Sequence, residues 1–182
     1  MRVCVYCAAS NHLPEVYFAA ARALGAGLAQ RGWSLIYGGG GVGLMGAVAD
    51  AVRAAGGKVV GIIPQALLER EAAFLQADDL IVTMTLRERK QLMDDRSDAF
   101  ITLPGGFGTL EEVLEIMTLR QLAYHDKPIV IVNIGGYFDP LLRQFEHIFA
   151  EGFAHGSYRN LYTVVGSSEE ALELLSTLHD AV

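Results

Sequence analysis

Lysine, cysteine and proline are scarce in this chain, with three, two and five residues in 182, and several chemistries lack material as a result. A Schiff-base cofactor needs a lysine with a pyridinium partner. Only Lys58, Lys90 and Lys127 are on offer, at a strand start, on a charged helix beside an arginine, and in a turn. The cysteines form Cys4-x-x-Cys7, but residues three apart on a strand face opposite sides, so neither a disulfide nor a shared metal is expected. There is no zinc motif, no nucleophile elbow and no Gly-x-x-x-x-Gly-Lys-Ser/Thr. His12, His147, His155 and His179 are scattered without metal-ligand spacing. His125 follows a helical segment and reads as a partner for its C-terminal dipole. No metal and no bound cofactor is therefore expected. Nor is there a basic stripe: 14 Lys and Arg against 21 Asp and Glu leave a net charge of −7, which argues against nucleic acid as a partner. No run approaches the roughly 18 uninterrupted apolar residues of a membrane span. The chain enters a strand at once, without a signal-peptide layout, so a cytoplasmic protein with no membrane partner is expected.

What the chain does have is apolar material: 52% hydrophobic residues and a mean hydropathy of +0.30. At this length a single domain over residues 1–182 is expected. The surplus apolar surface points to an oligomer. Apolar runs over residues 3–6, 33–37, 58–63, 80–83, 98–103, 128–133 and 161–165 read as strands. Helical spacing covers 14–31, 43–55, 86–95, 109–124, 138–151 and 168–178, and 65–79 is helical or irregular. Strands that are apolar throughout and alternate with helices imply an α/β fold. The expectation is a Rossmann-like doubly wound parallel sheet of about seven strands with helices on both faces. Such sheets bind ligands beyond the carboxyl ends of their strands, where strand order reverses.

Two glycine clusters fall at such strand ends. In Leu103-Pro104-Gly105-Gly106-Phe107-Gly108-Thr109-Leu110-Glu111-Glu112, three glycines sit where a strand turns into a helix, so the backbone can come close to a ligand. The helix start behind them offers free N–H groups and a positive dipole end, suited to a phosphate. The earlier cluster, Gly38 to Gly46, contains Gly41-x-Gly43-x-x-Gly46. A dinucleotide reading of it is weakened because it follows the second strand and because Ile62-Ile63-Pro64-Gln65 supplies no acid for a ribose hydroxyl. A mononucleotide phosphate cradle built from Gly39, Gly40, Gly43, Met45 and Gly46 fits better, with close helix–strand packing as the bland alternative. Thr109-x-x-Glu112 also spells a capping box, with Thr109 as N-cap, and Arg87-Glu88-Arg89-Lys90 taken alone is a solvated charged face.

Pro104-Gly105-Gly106-x-Gly108-Thr109-x-x-Glu112 resembles the signature of the "Lonely Guy" phosphoribohydrolases. Gly38 to Gly46 matches a second segment of that family, and Arg89-Lys90, fifteen positions before Pro104, a third. The family releases a free base and ribose 5-phosphate from AMP or from cytokinin riboside 5′-monophosphates. An older label for such sequences, lysine decarboxylase, is at odds with the lysine inventory above. The resemblance implies a nucleoside monophosphate as small-molecule partner, catalysis by Arg89 and Glu112, and a homodimer with the signature helix near its interface. Gly105, Gly106, Gly108 and Thr109 would hold substrate, with Lys90, Ser10 and Glu71 as further contacts.

The residues support parts of this independently. A carboxylate at Glu112 can stabilise a sugar gaining positive charge, bind ribose hydroxyls or orient water. The planar guanidinium of Arg89 suits phosphate, ribose or a departing base. Lys90 contacts ligand or is only salt-bridged, and Glu115 shares a face with Glu112. The chain departs from the family at Arg87, where a His is common, at Cys7-Ala8-Ala9-Ser10 in place of Cys-Gly-Ser-Ser, and at Thr118-Leu119-Arg120-Gln121 in place of Thr-Trp-Ala-Gln. These departures touch base specificity more than the reaction. The rival expectation is a carrier of nucleotides or phosphorylated pterin cofactors on the same fold.

Overall fold

Short apolar runs become seven strands: β1 (Arg2–Tyr6), β2 (Ser34–Tyr37), β3 (Val59–Pro64), β4 (Asp79–Thr83), β5 (Ala99–Thr102), β6 (Ile129–Val132) and β7 (Thr163–Val165). The structure, a computed structural model, describes residues 1–68 and 76–180. Six helices alternate with the strands: α1 (Glu15–Gln30), α2 (Gly43–Ala54), α3 (Leu86–Asp95), α4 (Phe107–Gln121), α5 (Asp139–Ala150) and α6 (Ser168–Asp180). None is long and apolar enough to cross a membrane among the described residues.

All pairings are parallel, in the order β4-β3-β2-β1-β5-β6-β7. The chain winds outward from β1 to β4, then crosses back to lay β5 on the other side of β1. The α/β doubly wound sheet expected from the apolar runs is thus present, with its switch point between β1 and β5. β3, β5 and β6 are buried along their whole length, and the edge strands β4 and β7 are not. That is the burial a sheet covered on both faces requires.

One face carries α1, α2 and α6, whose Leu24, Leu28, Leu44, Val48 and Leu172 pack on Val3, Val5, Cys7 and Leu35. Burying each such leucine or valine is worth about 1.5–3 kcal/mol. On the other face Met93 of α3 and Val113 and Ile116 of α4 cover Cys4, Tyr6 and Phe100. Strand alternation therefore sends Cys4 and Cys7 into different layers, both as buried free thiols.

Helix ends follow local chemistry. Gly32, at φ +68°, takes the left-handed conformation that stops α1, its N–H donating to the Ala29 carbonyl. Thr85 caps α3 by accepting from the Glu88 N–H, and the Glu88 carboxylate accepts from the Met84 N–H. Except that the carboxylate reaches one residue further back than the cap, this is close to the reciprocal arrangement that the sequence suggested at Thr109 and Glu112. There it does not form, because α4 starts two residues earlier than its apolar spacing indicates, with Gly106 as N-cap and Thr109 already inside the helix. The segment before β7 coils into short 3₁₀ turns over Gly156–Leu161, which shortens that strand.

Candidate functional site

The turns leaving β1, β2 and β5 meet at the carboxyl edge of the sheet, around the switch point. Backbone bonds stitch them together. The Ala8 N–H donates to the Pro104 carbonyl (3.2 Å), and the Leu44 and Met45 N–H groups donate to the Ala8 carbonyl (2.9 and 3.3 Å). They border a cavity of about 300 Å³, lined among others by Ser10, Met45, Arg89, Gly106, Gly108, Thr109 and Glu112. Residues from four separate stretches that the sequence marked as site candidates thus share one cavity.

The two glycine turns make different contributions. At α4 the first intrahelical bond runs from the Leu110 N–H to the Gly106 carbonyl, and no side chain caps this end. The N–H groups of Phe107, Gly108 and Thr109 belong to the uncapped first turn, and the positive dipole end faces the cavity. The turn before it is held from two sides. The Tyr137 hydroxyl donates to the Gly105 carbonyl at 2.6 Å. Thr109, itself buried, lies so close under Gly105 that a Cβ there would stand 2.1 Å from Thr109 Oγ1. Thr109 is therefore the packing support of the turn.

At α2 the first-turn N–H groups are already engaged. Gly43 N–H donates to Asn11 Oδ1 at 2.7 Å, and those of Leu44 and Met45 donate to Ala8. Gly43 has φ +62° and lies against the 8–10 backbone, while Gly46 packs against Gly41. Both line a separate groove between α1 and α2, together with Arg22 and Asp50. Gly39 and Gly40 are buried. From this turn, Met45 is the residue that reaches the cavity. Glu71 lies outside the described residues.

Arg89 and Glu112 face each other across the cavity. Arg89 comes from the second turn of α3 and is only 7% exposed. Its Nη2 stands 3.5 Å from Glu112 Oε1, and the Glu112 side chain is 14% exposed. Arg89 Nε is buried with no hydrogen-bond partner among the described residues. An unmade bond of this kind is costly, about 1–3 kcal/mol. Glu112 also leaves its mark on its neighbours. Burial first, and then the Glu112 charge, pushes the Cys4 and Cys7 thiols far above their ordinary range. Tyr6 is pushed up by burial, then by Cys4 and Glu112. Burial and the nearby carboxylate thus both favour the neutral form of these three groups.

Lys90 points away from Arg89 and pairs with Glu111 and Glu115 on α4. This assigns Glu115 to an ion pair. Glu112 also lines a second cavity of about 220 Å³ between α3 and α4, whose walls include Tyr6, Arg87, Lys90, Gln91, Glu115 and Leu119. Two of the family departures, Arg87 and Leu119, therefore stand in one chamber next to the carboxylate. His125 lies behind α4, its Nε2 3.0 Å from the Ile116 carbonyl and its ring tilted on Phe100. No group of three or more His, Cys, Asp or Glu able to hold a metal occurs among the described residues. Sequence reasoning missed Tyr137, whose distance along the chain from Gly105 gives no local signal, and Gly38, hidden in a run of four glycines.

Comparison with known proteins gives a consistent picture. A family model described as "possible lysine decarboxylase" matches residues 45–175. A cytokinin riboside 5′-monophosphate phosphoribohydrolase of Mycobacterium marinum is 47% identical over 94% of this chain and 91% of its own length. The protein of that name from Mycobacterium tuberculosis is 49% identical over 93% and 90%. Among solved structures, the molybdenum cofactor carrier protein of Chlamydomonas reinhardtii has a TM-score of 0.75 at 22% identity, covering 98% of both chains. A molybdenum cofactor binding protein of Rippkaea orientalis has a TM-score of 0.73 at 23% identity, covering 97% of this chain and 96% of its own. At that identity the likeness is one of fold.

Proposed function

The chain belongs to the phosphoribohydrolase family of its mycobacterial relatives, and we propose that it hydrolyses the N-glycosidic bond of AMP-like nucleoside 5′-monophosphates. The products are the free base and ribose 5-phosphate. The observation that carries this reading is the Arg89–Glu112 pair, buried and 3.5 Å apart, in the cavity that also receives the uncapped start of α4. The 5′-phosphate sits on the first-turn N–H groups of α4, where dipole and donors both favour an anion. The sugar then lies over the second turn, against Glu112. As the C1′–N bond breaks, its electron pair leaves with the base, which takes up a proton. The positive charge developing at C1′ is stabilised by the Glu112 carboxylate. Water adds to C1′ from the cavity and gives up a proton, so that substrate and water balance base and ribose 5-phosphate. Arg89 holds the nucleotide and assists the leaving base, since its own charge would oppose a cationic sugar.

Decarboxylation in the sense of the family model's description finds no support in the lysines. Lys90 is tied to Glu111 and Glu115, Lys127 pairs with Asp94 at 2.7 Å, and Lys58 stands at the far edge of the sheet beside Arg2 and Asp79. A second copy of the chain is the proposed partner. Phe107 is 94% and Met84 80% exposed at the starts of α4 and α3, with Leu86 beside Met84, and Leu114 is exposed further along α4. Such exposure on a chain this size suits an interface.

A non-catalytic carrier is the rival reading, favoured by the shared fold of the molybdenum cofactor proteins. Incubation of the purified protein with AMP, isopentenyladenosine monophosphate and adenosine, with free base followed by chromatography, separates the two. Base release from the monophosphates but not from adenosine is expected. Tight binding of AMP without release would favour the carrier.

A further inference from the structure

We infer that Gly38, at the end of β2, is a positioning residue for Arg89; this rests on the proposed role of Arg89 in hydrolysis. Gly38 is not among the residues with positive φ, so its backbone does not itself call for glycine. The space around it does. A Cβ at position 38 would lie 2.0 Å from Arg89 Nη2, 3.1 Å from Cζ and 3.2 Å from Met45 Sδ. Nη2 is the same nitrogen that faces Glu112 Oε1. The Nη2 end of the guanidinium therefore occupies the volume that a side chain at position 38 would fill.

Arg89 Nε has no partner among the described residues, and Nη2 meets Glu112 only at 3.5 Å, beyond a hydrogen-bond distance. The walls around this buried head group therefore help to set its position. Gly38 is one wall and Met45 borders the same space. The neighbouring Gly39 differs, because its φ of +77° requires glycine for backbone reasons. Within one glycine run, Gly39 shapes the turn and Gly38 makes room for the arginine.

The test is a double-mutant cycle of Gly38→Ala and Arg89→Ala, read in thermal stability and in turnover of AMP. Gly38→Ala in the wild-type background is expected to lower kcat about a hundredfold, the scale of a catalytic group displaced by an ångström. KM should rise far less than kcat falls, because α4 keeps the phosphate while Arg89 loses its hold on the rest of the nucleotide. It should also lower Tm. In the Arg89→Ala background the same substitution should cause no further loss of either, since the clashing group is gone. Equal Tm losses in both backgrounds, or a Gly38→Ala enzyme with wild-type kcat, would overturn the inference. If the wild-type protein releases no base from AMP, the reading of function fails, and the stability arm alone still decides whether Gly38 acts through Arg89.

Discussion

Replacing Glu112 by Gln removes a charge while keeping the size of the side chain and one acceptor oxygen. The size of the effect follows from the position of the carboxylate. In the proposed binding mode C1′ is taken to lie about 4 Å from it, and two unit charges at that distance interact by about 4 kcal/mol at an effective dielectric near 20. Each 1.36 kcal/mol is tenfold in rate, so full charge development corresponds to roughly a thousandfold. Partial charge and the remaining amide dipole bring the expected loss in kcat to about two to three orders of magnitude. The fold should tolerate the change. The ion pair with Arg89 is long at 3.5 Å and the amide oxygen still faces the guanidinium. In a chain of this size about 1 kcal/mol shifts Tm by roughly 2–4 °C, the upper limit of the expected change. The assay is release of adenine from AMP, followed by chromatography alongside a thermal melt. A Glu112→Gln protein with unchanged Tm and turnover within a few-fold of wild type would refute the argument, leaving Glu112 with only a structural part.

Three further outcomes are expected. Gly105→Ala puts a Cβ 2.1 Å from Thr109 Oγ1 and so disturbs the start of α4. Losing one bond to a charged phosphate, about 1.5–3 kcal/mol, should raise KM for AMP by roughly 10- to 100-fold, measurable in initial rates. Burial lowers the proton affinity of His125 from its ordinary value of 6.5. The unfolded chain therefore binds this proton first, so the stabilisation is fully present above that pH and is lost as pH falls below it. Between about pH 7 and pH 5.5 the Tm of the wild type should fall more steeply than that of His125→Phe, as read by thermal melts in a buffer series. Leu114→Glu, at an exposed apolar position of α4, should turn the proposed dimer into a monomer in size-exclusion chromatography with light scattering; an unchanged mass would exclude this part of α4 from the interface.

Much of the architecture was legible because strands buried on both faces have to be apolar throughout. Val59–Pro64 and Ile129–Val132 could be read that way without knowing their neighbours. The opposite facing of Cys4 and Cys7 followed from strand alternation alone. Local pattern misled at α4, where Thr109-x-x-Glu112 spells a capping box but the glycines before it let the helix begin at Phe107. The glycine run of β2 was legible as special but not in its division of labour. Whether an N–H is free for an anion depends on partners such as Asn11 and Ala8, which only the folded chain brings near. Arg89 and Lys90 illustrate the same limit. Adjacent on a charged helix, one is buried against Glu112 and the other pairs with Glu111 and Glu115, a difference set by the rotation of α3 over the sheet.

The central claim is tested most directly by incubating the protein with AMP in water enriched in oxygen-18 and weighing the products by mass spectrometry. Hydrolysis predicts adenine and ribose 5-phosphate in equal amounts, the sugar phosphate carrying one heavy oxygen. AMP recovered intact from a saturated complex, with no labelled sugar phosphate, would contradict it.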